Sequence, residues 1–323
     1  MILNRSEQNQ ILSILIKTLF SAMLLAAGLL FSFLIVCAQE EEEEVLYLEN
    51  EWNFVEGTMD ISNGIPEDAG GVLERIRKTG KLRVATDPYW VPAEFIDPSK
   101  KGQERYVGAD MELAKMIAER MGVELEIIPM DFSEVLPALD EDICDLTISA
   151  LAFTPGRASD WEMSKGYYFG DDYTAQNGIM VREEDLPYIK SIEDLAGRPI
   201  VAQSGSVQEA LGVENISKYK EFRRMPTIRA VYIALSQYMA DAAIVNIASA
   251  EDFIEDKPYF HLAIVPEIRF DTDPQFQGDR IAAKKGEIQL LYFVNSVLDE
   301  AIEKGLIDQW YEEYAAYADR LGL

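Results

Sequence analysis

From Lys81 onward, short apolar runs alternate with stretches in which apolar residues recur every three or four positions. "KLRVAT" (81–86) predicts a strand, and "DMELAKMIAERMG" (110–122) predicts a helix with Asp110 at its N-cap. "VELEIIPM" and "CDLTISALAF" (144–153) predict two further strands, with the short helix "SEVLPALDED" between them. A β-α-β-α-β order predicts a parallel sheet that is covered by helices.

The same alternation restarts with the probable strand "NGIMVRE" (177–183). "RPIVAQSGS" and "DAAIVN" (241–246) predict strands, and "TIRAVYIALSQYMA" between them predicts a helix. "FQGDRIAAKKG" (276–286) predicts a strand that is followed by long helices. We therefore expect two α/β lobes joined by two crossing segments near 177–184 and 274–284, with lobe 1 formed by 79–178 and 279–323 and lobe 2 by 179–278.

Residues 1–38 predict a signal peptide or a membrane anchor. Arg5 and Lys17 precede an apolar run from Leu19 to Val36, and a glutamate run follows it, which is the orientation of an exported chain. Three endings fit this pattern: cleavage before Gln39, lipidation of Cys37, or an uncleaved span of about 20 residues. All three predict a periplasmic or extracytoplasmic location for the remainder.

The stretch 39–78 is acidic and has little periodicity, so it predicts a solvated tether. The formal charge of the whole chain is -28. Such a charge argues against nucleic-acid binding, because a phosphate backbone would be repelled over most of the surface.

The counts of histidine and cysteine limit the chemistry further. His261 is the one histidine, and Cys37 and Cys144 are the two cysteines. Histidine-based triads and Cys/His zinc sites are therefore nearly excluded, and we predict no metal and no cofactor. Cys144 lies in an apolar run and is expected to be a buried small hydrophobic residue.

Arg157 follows a Thr-Pro-Gly turn directly after the apolar run 144–153. Ligands of open parallel sheets bind beyond the carboxyl ends of the strands, where this arginine is expected to lie. A guanidinium there can bind a carboxylate through two charge-assisted hydrogen bonds. The alternative is a surface arginine that caps the helix starting near Ala158 and pairs with Asp160.

"QSGS" (203–206) predicts a second contact to an anion. A glycine-containing turn at the start of a helix presents free backbone N–H groups, here around Gly205, Ser206 and Val207, together with the positive end of the helix dipole. The alternative is that Ser206 is an ordinary N-cap, and both roles are compatible.

Six stretches in this order, from about Gly80 to Tyr314, resemble the extracytoplasmic solute-binding proteins that deliver polar amino acids to ABC transporters. They are "GKLRVATDPYWVPAEF", the helix and strand after "YVGAD", the "PAL" helix, "CDLTISALAFTPGRASDWEMSKGYY", "SIEDLAGRPIV" and "AQSGS". The resemblance implies an α/β fold of the two-lobed type II periplasmic binding protein class, with parallel-type sheets and a two-segment hinge.

The resemblance also implies roles for individual residues. Arg157 and Ser206 would bind the α-carboxylate of an amino acid from opposite lobes. Asp87 would contact the ligand amine, and the ring of Trp90 would cover the ligand side chain. The backbone of Ala150 would line the same site.

Two positions depart from the family pattern. Asn246 stands where the family usually has an acidic partner for the α-ammonium group, and Ala152 stands where a hydroxyl residue is frequent. Asn246 can accept a hydrogen bond but brings no charge, which leaves room for an organic acid or a modified amino acid as the ligand.

We therefore expect a monomeric binding protein that closes around a small carboxylate ligand and is then recognised by an ABC transporter permease. Two alternatives share the fold. One is an enzyme of the cyclohexadienyl dehydratase type, which would need a cleft acid with a raised pKa. The other is a ligand-sensing receptor component.

Overall fold

The computed structural model describes residues 54–170, 177–270 and 276–323. Its strands are β1 (Lys81–Thr86), β2 (Tyr89–Trp90), β3 (Glu94–Ile96), β4 (Tyr106–Val107), β5 (Glu124–Pro129), β6 (Leu146–Ala152), β7 (Trp161–Met163), β8 (Asn177–Arg182), β9 (Pro199–Gln203), β10 (Glu221–Met225), β11 (Ala242–Asn246), β12 (Leu262–Phe270) and β13 (Asp279–Lys284). Its α-helices are α1 (Gly71–Thr79), α2 (Ala109–Met121), α3 (Phe132–Val135), α4 (Pro137–Asp140), α5 (Pro155–Asp160), α6 (Val207–Asn215), α7 (Ile228–Ser236), α8 (Ile247–Asp256), α9 (Ile288–Glu303) and α10 (Leu306–Leu321). Short 3-10 helices span Gly102–Arg105, Glu183–Tyr188, Ile192–Leu195 and Pro258–Phe260.

Lobe 1 is built on a five-stranded sheet in the order β5-β1-β6-β13-β7. β1 pairs in parallel with both β5 and β6, whereas β13 runs antiparallel to β6 and β7. The central strand β6 is almost entirely buried, because helices cover both faces of the sheet. Its apolar sequence is what burial on both faces requires.

Lobe 2 repeats this arrangement in the order β10-β9-β11-β8-β12. β9 pairs in parallel with β10 and β11, and β8 pairs antiparallel with β11 and β12. The first strand of this sheet begins at Asn177, and its last ends at Phe270, while Phe276 packs against an apolar cluster of lobe 1. The predicted two-lobed α/β fold is confirmed, with mixed rather than purely parallel sheets.

The prediction of an acidic tether over 39–78 is wrong for 54–78. This stretch packs on lobe 1: Val55 N–H donates to the carbonyl of Met163 at 2.7 Å, and Asn295 Nδ2 donates to the carbonyl of Val55 at 2.6 Å. α1 buries Leu73 and Ile76 completely against the core. Its apolar residues are few but lie on one helical face, so the acidic average of the segment concealed an amphipathic helix.

Five strands were not predicted: the short strands β2, β3 and β4, and the edge strands β7 and β10. β10 has the sequence "EFRRM" and forms the edge of the lobe 2 sheet, where charged side chains remain in solvent. β7 is an edge strand of only three residues. Neither shows the apolar run or the alternation that identifies a strand in a sequence.

Cys144 is buried, as expected, and burial raises the pKa of its thiol to about 11. The predicted leader, Cys37 and the first part of the predicted tether lie outside the described residues. Among the helices of the described part, none has both the length and the apolar character needed to cross a membrane.

The packing of α1 predicts that Leu73→Ala lowers the free energy of unfolding by about 2–5 kcal/mol, because a buried side chain is removed and a cavity remains. Arg77→Ala, on the exposed face of the same helix, is the matched control and should change it by less than about 0.5 kcal/mol. Urea denaturation followed by circular dichroism measures both. Equal, negligible effects would mean that the segment is a tether after all.

Candidate functional site

The carboxyl ends of four strands, two from each lobe, face a cavity of about 770 Å³. β1 and β6 contribute from lobe 1, and β9 and β11 contribute from lobe 2. Strand ends at a change in strand order are where open α/β sheets hold ligands. Of the nine residues predicted for the site, this cavity is lined by Asp87, Trp90, Ala150, Ala152, Arg157, Val207 and Asn246.

Arg157 lies in α5, whose N-cap is Thr154, and its guanidinium bridges the two lobes. Nη1 donates to the carbonyl of Ala152 at 2.6 Å, and Nη2 donates to the carbonyl of Gly205 in lobe 2 at 3.0 Å. The group also lies over the ring of Phe132, at 5.7 Å from its centre. Burial lowers the pKa of Arg157 to about 10, so the group is still a cation at neutral pH.

Ser206 is the N-cap of α6: its Oγ accepts from the N–H of Glu209 at 3.1 Å and donates to the carbonyl of Gln203 at 2.7 Å. Neither Ser206 nor Gly205 lines the cavity directly, whereas the next residue, Val207, does. The structure therefore connects Gly205 to the site through the hydrogen bond that its carbonyl accepts from Arg157. A contact between Ser206 and a ligand stays a prediction.

Asp87 and Gln203 connect the lobes at a second point. Asp87 directly follows β1 and Gln203 ends β9, and Gln203 Nε2 donates to Asp87 Oδ2 at 2.8 Å. The other carboxylate oxygen, Oδ1, is buried and accepts no hydrogen bond from the described residues. Trp90 packs against apolar clusters of both lobes, as expected for a side chain that lies between them.

Ala150 and Asn246 form hydrogen bonds within the protein that shape the cavity wall. Ala150 has a φ of 43° in the middle of β6, which turns its N–H toward Asp110 Oδ2 at 2.9 Å. Asn246 ends β11 and caps α8, since its Oδ1 accepts from the N–H of Ser249 at 3.1 Å. Asn246 therefore has a structural role at the cavity wall in addition to any contact with a ligand.

Asp110 was predicted as a helix cap, and this is wrong. α2 begins one residue earlier, with Gly108 at its N-cap, and the carboxylate of Asp110 is buried beneath the cavity. It accepts hydrogen bonds from the hydroxyl of Tyr167 at 2.8 and 2.9 Å. Tyr167 belongs to the "SKGYY" stretch, so the two parts of the sequence meet at this carboxylate.

Glu94 is a cavity residue that the sequence analysis missed. Its Oε1 accepts from Ser149 Oγ at 3.0 Å, and its Oε2 is buried with no hydrogen-bond partner among the described residues. Burial, together with the neighbouring carboxyl groups of Asp110 and Asp87, raises the pKa of Glu94 well above its usual range. Its position in "VPAEF", next to the ligand loop, was the available signal.

The charge of the cavity could not be seen in the sequence. Arg157 is the one cation among the described residues that line it, whereas seven carboxylates do so. These come from β1, β3, α8, β13 and α10: Asp87, Glu94, Glu251, Asp252, Asp279, Asp308 and Glu312. No group of residues suited to hold a metal ion occurs in the described ranges.

Residues 82–317 match the model of the bacterial extracellular solute-binding proteins, family 3. The chain belongs to this family. The match spans both lobes and the whole cavity, which agrees with the architecture, and it places the function in the capture of a solute outside the cytoplasm.

Several relatives and solved structures are similar over the same region. The arginine-binding extracellular protein ArtP of Bacillus subtilis is 30% identical over 232 residues, covering 71% of this chain and 84% of its own length. The lysine/arginine/ornithine-binding periplasmic protein of Escherichia coli is 25% identical, with coverages of 72% and 86%. The substrate-binding protein AbpA of Streptococcus pneumoniae, solved with L-arginine, has a TM-score of 0.66 at 32% identity and covers 75% of this chain and 98% of its own.

A close approach of the lobes at Gly205 yields a prediction for lobe closure. Gly205 has a φ of +74°, and a Cβ there would lie 2.8 Å from the Cα of Ser133 in lobe 1. Gly205→Ala should therefore prevent the lobes from meeting and increase the radius of gyration measured by small-angle X-ray scattering.

Gly197→Ala is the matched control, because Gly197 has the same φ of +74° with nothing within 4 Å of the added atom. Both variants should lose about 1 kcal/mol of stability from the strained φ, but only Gly205→Ala should change the scattering. Equal radii in the two variants would contradict this role of Gly205.

Proposed function

We propose that the protein binds a free α-amino acid with a cationic side chain outside the cytoplasm and delivers it to an ABC transporter. The observation that carries this proposal is the composition of the cavity wall: seven carboxylates and a single arginine. Such a wall attracts positive charge overall while it offers one site for a carboxylate.

Arg157 supplies the carboxylate site. A guanidinium has five N–H donors, and two are engaged by the carbonyls of Ala152 and Gly205. The remaining donors are available for a ligand carboxylate, which would complete the coordination of the buried cation by accepting charge-assisted hydrogen bonds.

The acidic and aromatic part of the wall suits a cation. Asp87 and Asp279 line the cavity, as do the rings of Trp90, Tyr168 and Tyr311. Aromatic faces favour cations that are weakly hydrated, such as a guanidinium. The arginine-binding names of ArtP and of the AbpA complex support the same choice.

The acidic composition of the wall bears on whether the ligand is an amino acid or an organic acid, a choice that Asn246 left open. The negative charge that Asn246 does not bring is supplied by other acidic residues of the cavity wall. A di- or tricarboxylic acid would meet these groups with its second negative charge, so an organic acid is the less favourable ligand.

Ligand capture by hinge closure follows from contacts that already span the lobes. Asp87 to Gln203 and Arg157 to Gly205 join the two sides of the cavity, so a ligand held between them favours the closed arrangement. The closed form is then what a permease recognises. We further propose that the protein acts as a monomer and is held at the membrane by its N-terminal segment or by lipidated Cys37.

The proposal predicts that L-arginine, L-lysine or L-ornithine raises the melting temperature of the full chain, whereas L-glutamate and citrate do not. Arg157→Ala should weaken binding by about 100-fold or more, since two charge-assisted hydrogen bonds are worth roughly 3–6 kcal/mol together. The exposed Arg229→Ala is the control and should bind like the parent. Stabilisation by citrate alone would overturn the ligand class.

An enzymatic function is the second candidate. The ancestral amino acid-binding protein AncCDT-1, a precursor of cyclohexadienyl dehydratase, has a TM-score of 0.63 and is 27% identical, covering 76% of this chain and 99% of its own. Burial raises the pKa of Asp279 to about 8, which is a property of general acids.

We expect binding without turnover. Incubation of the full chain with prephenate, with arogenate or with L-arginine, followed by chromatography, should recover each compound unchanged. Consumption of any of them that is lost in Asp279→Asn would favour the enzyme.

A further inference from the structure

Asp279 is a carboxylate at the cavity wall whose hydrogen bonding is incomplete. Its Oδ2 lies 3.4 Å from the hydroxyl of Tyr311, and the same hydroxyl lies 3.4 Å from Asp110 Oδ1. A tyrosine hydroxyl carries one proton, so it cannot donate to both carboxylates. Asp110 is already satisfied by Ala150 N–H and Tyr167, which leaves Asp279 as the poorly stabilised anion.

The hydrogen bonding of Asp87, another carboxyl group of the cavity wall, is also incomplete. Gln203 stabilises one of its oxygens, while Oδ1 is buried and accepts nothing from the described residues. The charged group that acts on it is anionic: Asp131, directly before α3. Asp87 and Asp279 are thus two acids that face the cavity without an opposing cation among the groups that act on them.

The pKa values of both acids are raised into the neutral range. Burial, with a contribution from Asp131, raises the pKa of Asp87 to about 7, and burial together with Asp110 raises the pKa of Asp279 to about 8. Tyr167 and Tyr311, the other titratable groups beside Asp279, remain neutral because burial and the same anions raise their pKa values well above the usual range.

We propose that a cationic side chain enters this cavity in exchange for the protons on Asp87 and Asp279, so that these two residues select ligands by positive charge. This inference rests on the proposed function and adds how the protein distinguishes cationic from uncharged ligands. In the exchange, each O–H proton passes to solvent, and an N–H of the ligand donates to the carboxylate oxygen that the proton leaves.

The direction of the pH dependence follows from this exchange. A bound cation stabilises the ionised acids, so it lowers their pKa values and binding releases protons. Affinity must then rise as the pH increases through about 7 to 8, the range set by the two acids. A neutral ligand of the same shape stabilises neither ion and should bind with little dependence on pH.

Isothermal titration of the full chain with L-arginine, and with L-citrulline as its uncharged counterpart, tests the exchange. Titrations at pH 7 in phosphate and in Tris, which differ in ionisation heat, should give release of about one proton per arginine and none for citrulline. The affinity for arginine should increase at least about tenfold between pH 6 and pH 8, since a single obligatory ionisation changes it by tenfold per pH unit below its pKa.

Asp279→Asn keeps the shape of the side chain and removes its titration. This variant should bind arginine more weakly at pH 8, release fewer protons and show a flatter pH profile. Asp319→Asn, the same change at an exposed carboxylate of α10 that does not line the cavity, is the matched control and should leave proton release as it is in the parent. Equal proton release in all three proteins would overturn the assignment to Asp279.

A measurement without ligand tests the same residue. The folded parent retains a proton on Asp279 that the unfolded chain has already lost above pH 4, so its stability should fall between about pH 4 and pH 8. Asp279→Asn should therefore melt higher than the parent at pH 8 and by a smaller margin at pH 5.

The outcomes separate the two proposals. Arginine binding without proton release would refute the exchange and leave the function in place. Failure of every cationic amino acid to bind at any pH would refute the function, and the exchange with it. An unchanged stability difference between pH 5 and pH 8 would show that Asp279 is ionised in the folded protein and would also refute the exchange.

Discussion

The buried guanidinium of Arg157 is the interaction on which the site depends. A cation taken out of water is costly unless acceptors surround it, and the protein provides one carbonyl from each lobe, at Ala152 and Gly205. The same bonds that satisfy the charge therefore join the lobes. A ligand carboxylate would be a further acceptor at this point, which is why carboxylate binding and closure are linked.

The anionic side of the cavity is organised by Asp110. This carboxylate is fully buried, yet it accepts from the turned N–H of Ala150 and from Tyr167. Because these donors serve Asp110, fewer donors remain for the surrounding acids. The cavity thus combines one well-stabilised anion with others that are stabilised only when a positive charge arrives, a property that a binding protein can use for selection.

Particular residues show how far prediction from the sequence reached. Arg157 was placed at the cavity because it follows an apolar strand, and ligands of open sheets bind at strand ends. Asp87 and Trp90 were placed there by the resemblance to the family. Asp110 was not recognised, since an acidic residue at the start of a helix resembles an ordinary cap. Glu94 was missed because the three-residue strand β3 that carries it shows no pattern in the sequence. α1 was missed because two apolar residues in an acidic segment give a weak pattern, although burial against the core stabilises it.

The sequence by itself determined the α/β class, the two-lobed division and the position of one arginine at a strand end, because these follow from periodicity and chain order. Only the tertiary structure decided the character of the cavity. Asp279 lies about 190 residues from Asp87 in the chain, and it reaches the same cavity because β13 returns to the first sheet. The ionisation of such groups depends on burial and on neighbours from distant segments, and no local pattern records either.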